Sequence, residues 1–584
     1  MPVFRFIISL SCFAVLLALA SPGLAQMTYV PSPPLSSVVS AAPKGCVAES
    51  EIQVPLIAWG GDIVTIHANG DNRKTQPGSV FASHNLKLSL FREDNFAKQV
   101  EAYLECKTPF LRGTMGMINM AADVTEADAR TKMVVIYKMT DSAGGDALVV
   151  KPGIKSPRDL KGKTIALQRY GPHVDYLTTV LDSVGLKTGD VNIKWVEDLI
   201  ELDDSSNSPA KALREDSSVD AAFVIIPDAL ALTSEGKVGT GSEDSVKGAA
   251  ILLSTKTADR VIMDVYAVRS DYFRANKAQV MAFVQGLLQA DEKVKELFKK
   301  NKSPGFSSMI AAAAEILLDS KGAVADTEAM YGDARHSGFS GNASFFGSPE
   351  KPRSFEDVSS KIQAAFIPLN LMSSKKELAK ADWDYPKMSA GLSGAAPAPA
   401  PRFDTKAVTR LVTEKQRKGS LAEGELYSFE VYFKPNQNTF PVDIYKESFD
   451  KVIELVSVYG GALLTIEGHS DPSNYLRQKV KNETPLVLNQ IKQSARNLSY
   501  ARANALKDSL VDYAKGKGVT LDSSQFGVVG HGIMAPNTPN CAFDSAGDIS
   551  KSCYPASKEQ WEQLRRVVFR LIQVEAEADI FKPL

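Results

Sequence analysis

Hydrophobic positions along this chain change rhythm twice. Between residues 54 and 253, short apolar runs recur at 54–59, 86–91, 133–137, 147–151, 164–168, 192–196, 221–226 and 250–253, and each reads as a strand. The intervening stretches 95–104, 174–184 and 209–214 carry apolar residues three and four apart and read as helices. Strands alternating with helices predict an α/β fold of parallel sheets covered by helices. Near Ala275 the pattern lengthens to 277–300 and 307–318, whose apolar stripes predict helices packed outside that core.

Two segments stand outside both rhythms. At the start, Arg5 is the lone charge before the apolar run 6–20, and Pro22, Gly23 and small residues precede Gln26. That is the pattern of a secretory signal peptide cleaved after Ala25, and the run is shorter than the about 20 residues a membrane span needs. Farther on, 392–402 reads LSGAAPAPAPR, where alternating Pro keeps the backbone extended and Ala has little to pack. The chain therefore divides into a leader at 1–25, a large part at 26–388, a Pro/Ala linker at 389–404 and a C-terminal part at 405–584.

Composition narrows the functional classes. The 584 residues are 44% hydrophobic and 23% charged, an ordinary globular balance that excludes a wholly disordered or collagen-like chain. With 67 basic against 68 acidic residues there is no bulk field for nucleic acid, and the two signs also balance after Arg402. Cys12 falls in the leader, leaving Cys46, Cys106, Cys541 and Cys553 in an exported chain. Three pairings are possible, and the wide sequence gap favours Cys46 with Cys106 and Cys541 with Cys553 as structural staples. No serine-nucleophile elbow, phosphate loop or His-Glu-x-x-His helix is present, so the chain reads as a non-enzyme with no cofactor.

In the large part, Ile154, Ser156, Asp159, Leu160, Lys161, Gly162 and Lys163 open a strand-loop-helix unit that closes on Gly185-Leu186 and Asp190-Val191. Trp59-Gly60-Gly61-Asp62 after the first strand, Ser142-Ala143-Gly144-Gly145-Asp146 before a strand, Val219 to Phe223 before Pro227, and Ala381-Asp382-Trp383 near the end agree with the same pattern. This arrangement resembles the periplasmic solute-binding proteins of the nitrate, sulfonate and taurine type. The resemblance implies two lobes of type II-like periplasmic-binding-protein fold with a small polar or anionic solute in the cleft, served by an inner-membrane permease or another envelope partner. Strand-end loops and helix N-termini there offer N–H groups to an anion. The candidate solute residues are Trp59, Ser142, Gly144, Gly145, Gln168, Arg169 and Asp264, with Arg169 suited to a bidentate pair with an oxyanion. The segment 113–123 (GTMGMINMAAD) is Met-rich where the family is more polar, which points to a different solute or to a module that has lost small-molecule transport and acts as an envelope scaffold or sensor.

The C-terminal part has Phe433 and Phe440, then LLTIEGHSD at 463–471, LSYARANA at 498–505, Gly530-His531-Gly532 before Pro536, and Arg565-Arg566-Val567. In this order they resemble the OmpA-like peptidoglycan-binding domain. That resemblance implies an α+β βαβαβ fold with strands at 463–467 and 566–574, a helix at 498–511, and an outer-membrane or wall-associated place in a Gram-negative envelope. A diaminopimelate stem peptide presents an ammonium and a carboxylate on one carbon, so its pocket needs an anion and a cation close together. Asp471 matches the family's aspartate for the ammonium and Arg502 its arginine for the carboxylate, with Asn497 nearby in the pattern. His469 and His531 read as structural, with no metal. Leu564 stands where the family has Asn before its arginine pair, and the connector 472–497 is longer than usual. The spacing of Cys541 and Cys553 matches a disulfide of some members.

Overall fold

The computed structural model describes residues 27–46, 50–201, 203, 205–242, 244–301, 303–347, 349, 351–393, 402–575 and 580–581. The expected leader and the Pro/Ala core of the linker lie outside the described residues. The chain enters a first lobe with β1 (Ile52–Leu56), the Asp62–Ala68 helix and β2 (Leu88–Arg92), which pairs parallel to β1. It continues with β3 (Phe110–Thr114), the Met115–Thr125 helix and β4 (Met133–Ser142).

At Ala143 to Gly145 the chain crosses to a second lobe, where β5 (Asp146–Val150), β6 (Thr164–Gln168), β7 (Asn192–Val196), β8 (Ala221–Ile225) and β9 (Ala250–Ser254) form one sheet in the order β7-β6-β8-β5-β9. It returns through 255–262 into β10 (Met263–Arg269), which lies between β3 and β4. Later segments add β11 (Ala334–His336) and β12 (Ala379–Lys380) against β4.

The sheets are mixed α/β, which corrects the all-parallel expectation. β10 runs antiparallel to β3 and β4, and β5 runs antiparallel to β8 and β9, whereas β6 is parallel to β7 and β8. Two crossovers explain the reversal. A chain that leaves one lobe and comes back sets its outgoing and returning strands side by side in opposite directions.

Local chemistry fixes the elements that border the lobe junction. Thr114 caps the Met115–Thr125 helix, its Oγ1 accepting from Met117 N at 3.2 Å. That helix is buried on nearly every side, so its sequence shows no amphipathic period. Pro172 precedes the His173–Ser183 helix, fixing φ at its entry. The long Lys277–Lys299 helix brings Phe283 against Phe81 and Phe110, with ring centroids 5.3 and 4.9 Å apart, and closes the first lobe's core.

The C-terminal part forms a sheet of order β13-β16-β14-β15, from β13 (Glu425–Tyr432), β14 (Leu463–His469), β15 (Phe526–Gly532) and β16 (Arg566–Ile572). β14 and β15 are parallel, and β16 is antiparallel to both its neighbours. The Lys446–Val458 helix joins β13 to β14, and the long Pro485–Gly516 helix lies across β14 and β15. Gly468 permits that approach, since a Cβ there would sit 1.9 Å from the Ser499 carbonyl oxygen.

The two parts touch through specific contacts. Gly461 N donates to Thr257 O at 3.1 Å, Val574 N donates to Thr257 Oγ1 at 2.8 Å, and Tyr459 Oη donates to Ser183 Oγ at 2.8 Å. Arg402, near the end of the linker, pairs with buried Asp259. Thr257 and Asp259 belong to the returning crossover, so the C-terminal part sits on a hinge segment of the two-lobed part. The disulfides pair Cys46 with Cys106 and Cys541 with Cys553, as the spacing predicts.

Candidate functional site

The lobe junction is built around a buried guanidinium. Arg112, fully buried on β3, spans Asp62 at the start of its helix (Nη2 to Oδ2, 2.8 Å) and Asp264 on β10 (Nη1 to Oδ1, 2.6 Å). Thr140 Oγ1 donates to the other oxygen of Asp264 at 3.1 Å, and Trp59 Nε1 donates to Thr140 Oγ1 at 2.9 Å. Burial pushes the Asp62 carboxyl up to about 6 against the opposing pull of Arg112, and burial raises Asp264 as well. Asp264 is thereby a partner inside a charge cluster, and the half-buried Trp59 ring packs over Gly145, where a Cβ would come within 2.8 Å of the indole.

The outgoing crossover holds a second network. Ser142 Oγ donates to Asp146 Oδ2 at 2.6 Å, the Gly144 amide donates to Thr255 Oγ1 at 3.1 Å, and Asp146 Oδ1 pairs with His173 Nε2 at 2.7 Å. Thr255 lies on the returning crossover, so this network ties the two hinge segments together. Gln168 Nε2 donates to the Glu197 carbonyl at 3.2 Å. Arg169 pairs with Glu197 (Nη2 to Oε2, 2.5 Å) and donates from Nη1 to Pro31 O at 3.0 Å. Seven residues chosen from the sequence thus fall in two connected regions, Trp59, Ser142, Gly144, Gly145 and Asp264 at the junction, Gln168 and Arg169 at the edge of the second lobe.

Pro31 belongs to an N-terminal strap that spans both lobes. On the second lobe, Val30 N donates to Trp195 O at 3.0 Å, Tyr29 Oη to Asp216 at 2.6 Å, and Tyr170 Oη to Pro33 O at 2.5 Å. Leu35 is then buried against the Met115–Thr125 helix. On the first lobe, Lys44 N donates to Leu104 O at 2.9 Å, Arg269 Nη2 donates to Lys44 O at 2.9 Å, and Cys46 is bonded to Cys106.

A hydrogen bond joins the lobes directly. Asp175, on the second lobe's His173–Ser183 helix, accepts the Gly116 amide of the first lobe's Met115–Thr125 helix at Oδ2, 3.0 Å. A Cβ on Gly116 would lie 1.7 Å from Asp175 Oδ1, so only glycine admits the carboxylate. Asp175 is 3% exposed, and burial raises it to about 7 while the Gly116 amide and Thr114 hydroxyl oppose the shift. Arg112, Asp146, His173 and Asp175 were not picked out by sequence reading. Asp146 closes the quoted Ser142–Asp146 motif and is the one with a visible signal.

In the C-terminal part, Asp471 follows β14 and Arg502 points inward from the Pro485–Gly516 helix at 1% exposure. Arg502 donates to three carbonyls, Gln437 (Nε, 2.8 Å), His469 (Nη1, 3.1 Å) and Lys434 (Nη2, 3.3 Å), and stacks over Phe433 at 5.3 Å. Burial lowers it to about 10, Arg565 adds to that shift and Asp471 opposes it, so it is cationic at neutral pH and close to both. Asp471 Oδ1 accepts the Ser473 amide at 3.2 Å. Asn497 is exposed one turn before Arg502 and accepts from Gln493 at 2.9 Å. The long connector is helical, Ser473–Val480 and the first turns of the Pro485–Gly516 helix, and lengthens one wall beside Asp471.

Glu467, His469 and His531 bring donor atoms within 4.8 Å of one another. The histidine rings stack with centroids 4.8 Å apart and planes 14° from parallel, and imidazole lone pairs lie in those planes, so both cannot aim at one ion. Glu467 is already bonded to Arg570 (2.9 Å) and His531 (3.2 Å), while His469 Nδ1 donates to Ala535 O at 3.1 Å. The cluster is a packed polar core.

Residues 81–296 match the family described as NMT1/THI5 like, a stretch that runs through both lobes from before β2 into the last turn of the Lys277–Lys299 helix. The taurine-binding periplasmic protein of Escherichia coli (strain K12) is 26% identical over 178 residues, 30% of this chain and 50% of that protein. The chain spans about half the length of this curated relative. Among solved structures, a putative sulfonate ABC transporter periplasmic sulfonate-binding protein from Methylobacillus flagellatus KT covers 62% of this chain and 99% of its own, with TM-score 0.41 and 17% identity. The alkanesulfonate-binding protein from Xanthomonas axonopodis pv. citri bound to MOPS covers 57% and 100%, with TM-score 0.38 and 16% identity. Residues 81–296 therefore carry an NMT1/THI5-like domain.

Proposed function

We propose that this chain is an exported envelope protein that holds non-covalently to peptidoglycan through residues 405–584 and presents residues 26–388 as a solute receptor in the periplasm. The NMT1/THI5-like match and the taurine-binding relative support a small anionic solute, such as a sulfonate, and an inner-membrane permease as the partner. The observation that carries the wall-binding half is the state of Arg502. Three of its five N–H groups bond carbonyls that hold it rigid, which leaves two for a carboxylate. Asp471, whose charge Arg502 senses, keeps Oδ2 for an ammonium, which is the paired chemistry of diaminopimelate.

Co-sedimentation of the full chain with diaminopimelate-containing sacculi tests this. Asp471→Ala is expected to lose binding at least tenfold while unfolding near the wild-type temperature. Wild-type protein left in the supernatant overturns the wall-binding half.

A second reading is favoured by the contacts at Thr257 and Asp259. A C-terminal part seated on the returning crossover suits a scaffold or sensor whose module has given up transport. Thermal shift with taurine, sulfate, nitrate and amino acids separates the two, because a ligand bound only by the folded state raises apparent stability. A shift with any of them supports the receptor, and none with all of them supports the scaffold.

A further inference from the structure

We infer that the Asp175 carboxylate is a built-in occupant of the first lobe's anion-accepting helix terminus, so that the module holds itself closed and takes up a free small anion only when this contact breaks. The inference deepens the receptor reading and rests on it for the class of solute. It starts from the Met115–Thr125 helix, whose first-turn N–H groups have no partner within the helix and favour negative charge. Thr114 takes the Met117 amide, and the Asp175 carboxylate, arriving from the other lobe, takes the Gly116 amide. The glycine is what lets it in, since any side chain at 116 would collide with the carboxyl group.

Arg353, which lines a cavity with Asp175, donates to the Arg260 and Val261 carbonyls and forms no ion pair among the described residues, whereas the other positive groups named at the junction are paired. Arg112 is spent on Asp62 and Asp264, Lys138 on Asp141, and Arg169 on Glu197 and the strap. An incoming oxyanion at the start of the Met115–Thr125 helix therefore finds the Gly116 amide already taken by a carboxylate until Asp175 withdraws. The strap works in the same sense. It bonds the second lobe at Trp195 and Asp216, crosses Tyr170, and is pinned to the first lobe by the Cys46–Cys106 disulfide, so it holds the lobes in the relation that seats Asp175.

Residue-resolved hydrogen exchange on the ligand-free full chain tests the contact, and calorimetric titration with sulfate and with taurine tests its consequence. The Gly116 amide has no acceptor in its own helix, so its protection reports Asp175. Asp175→Ala, and Asp175→Ser should the alanine form fail to fold, are expected to lose at least tenfold of that protection and to gain at least tenfold in affinity for one of the two anions. Asp175→Asn keeps an acceptor on Gly116 and is expected to stay protected and to bind anions no better than wild type. A Gly116 amide that exchanges as fast in wild type as in Asp175→Ala overturns the proposal, as does wild type binding either anion as tightly as Asp175→Ala. Loss of protection without binding of either anion leaves the latch standing and overturns the sulfonate-type solute instead.

Discussion

His469 shows how a single side chain in this protein sets a condition on the fold. Its ring is buried beside Arg566 and stacked on His531, and burial first, then the charge of Arg566, holds its pKa well below the usual 6.5. The native domain therefore needs it neutral, whereas the unfolded chain protonates it at its ordinary value. Between that value and the lower native one the unfolded state binds more protons, so the contribution of His469 is complete above about pH 6.5 and is lost as pH falls below it. Asp175 has the opposite sign, because a carboxyl raised to about 7 makes the native state the better proton binder and costs stability as pH rises from about 4 to 7. Comparing His469→Gln with wild type cancels that term. Urea unfolding from pH 7.5 to 5 is expected to show a difference between the two that changes by up to about 1.4 kcal/mol per pH unit below 6.5 and is flat above it. A difference that stays constant over the whole range rejects a neutral buried His469.

Among the elements, the strap at residues 27–46 depends most on one covalent bond. Its hydrogen bonds are few and partly exposed, and the Cys46–Cys106 disulfide closes a loop of sequence separation 60 that fastens its end to the first lobe. Cys46→Ser with Cys106→Ser is expected to lower stability by about 2–4 kcal/mol. Limited proteolysis should then cut within 27–45 first, and cleavage confined to other segments would show the strap to be held by its other contacts. The cysteine spacing made this staple legible, and likewise β6 and β7 fall at 164–168 and 192–196 as read, because short β-branched runs bounded by Gly and Asp leave few alternatives. The Met115–Thr125 helix was not legible as an element. With Met, Ala and Ile buried all round it has no polar face to mark a period. Asp175 was hidden for the opposite reason, since a carboxylate in the first turn of an amphipathic helix is what any helix start presents. Only the approach of Gly116, 59 positions away, gives it a role.

At the scale of the whole molecule, near-zero net charge leaves recognition to placed groups, and the same holds for how the two parts meet. The linker's Pro/Ala sequence predicts a tether, yet the residues on either side of it come together at Thr257, Asp259 and Ser183. No periodicity announces such a contact, because Thr257 and Gly461 are small residues in turns with nothing to distinguish them in sequence. The seat combines hydrogen bonds at Thr257 with apolar packing, since one buried cluster runs from Leu181 and Val261 into Leu455, Val458 and Tyr459. A cavity of about 490 Å³ remains beside it, lined by Asp175 and Leu181 of the second lobe, Val261 and Arg353 near the crossover, and Leu455 and Val458 of the C-terminal part. The hydrogen bonds around Thr257 add direction to that packing. Gly461 is the most sensitive point, since a Cβ there would lie 1.8 Å from the Lys256 carbonyl oxygen, an atom of backbone that cannot swing away. Gly461→Val is expected to undock the parts without unfolding either. Calorimetry should then resolve two transitions in place of a coupled one, and proteolysis at 394–401 should accelerate at least tenfold. Because the seat lies on a hinge segment, the same substitution should also speed exchange of the Gly116 amide by loosening the lobes. If the two transitions separate while Gly116 stays as protected as in wild type, the C-terminal part rests on the crossover without restraining it.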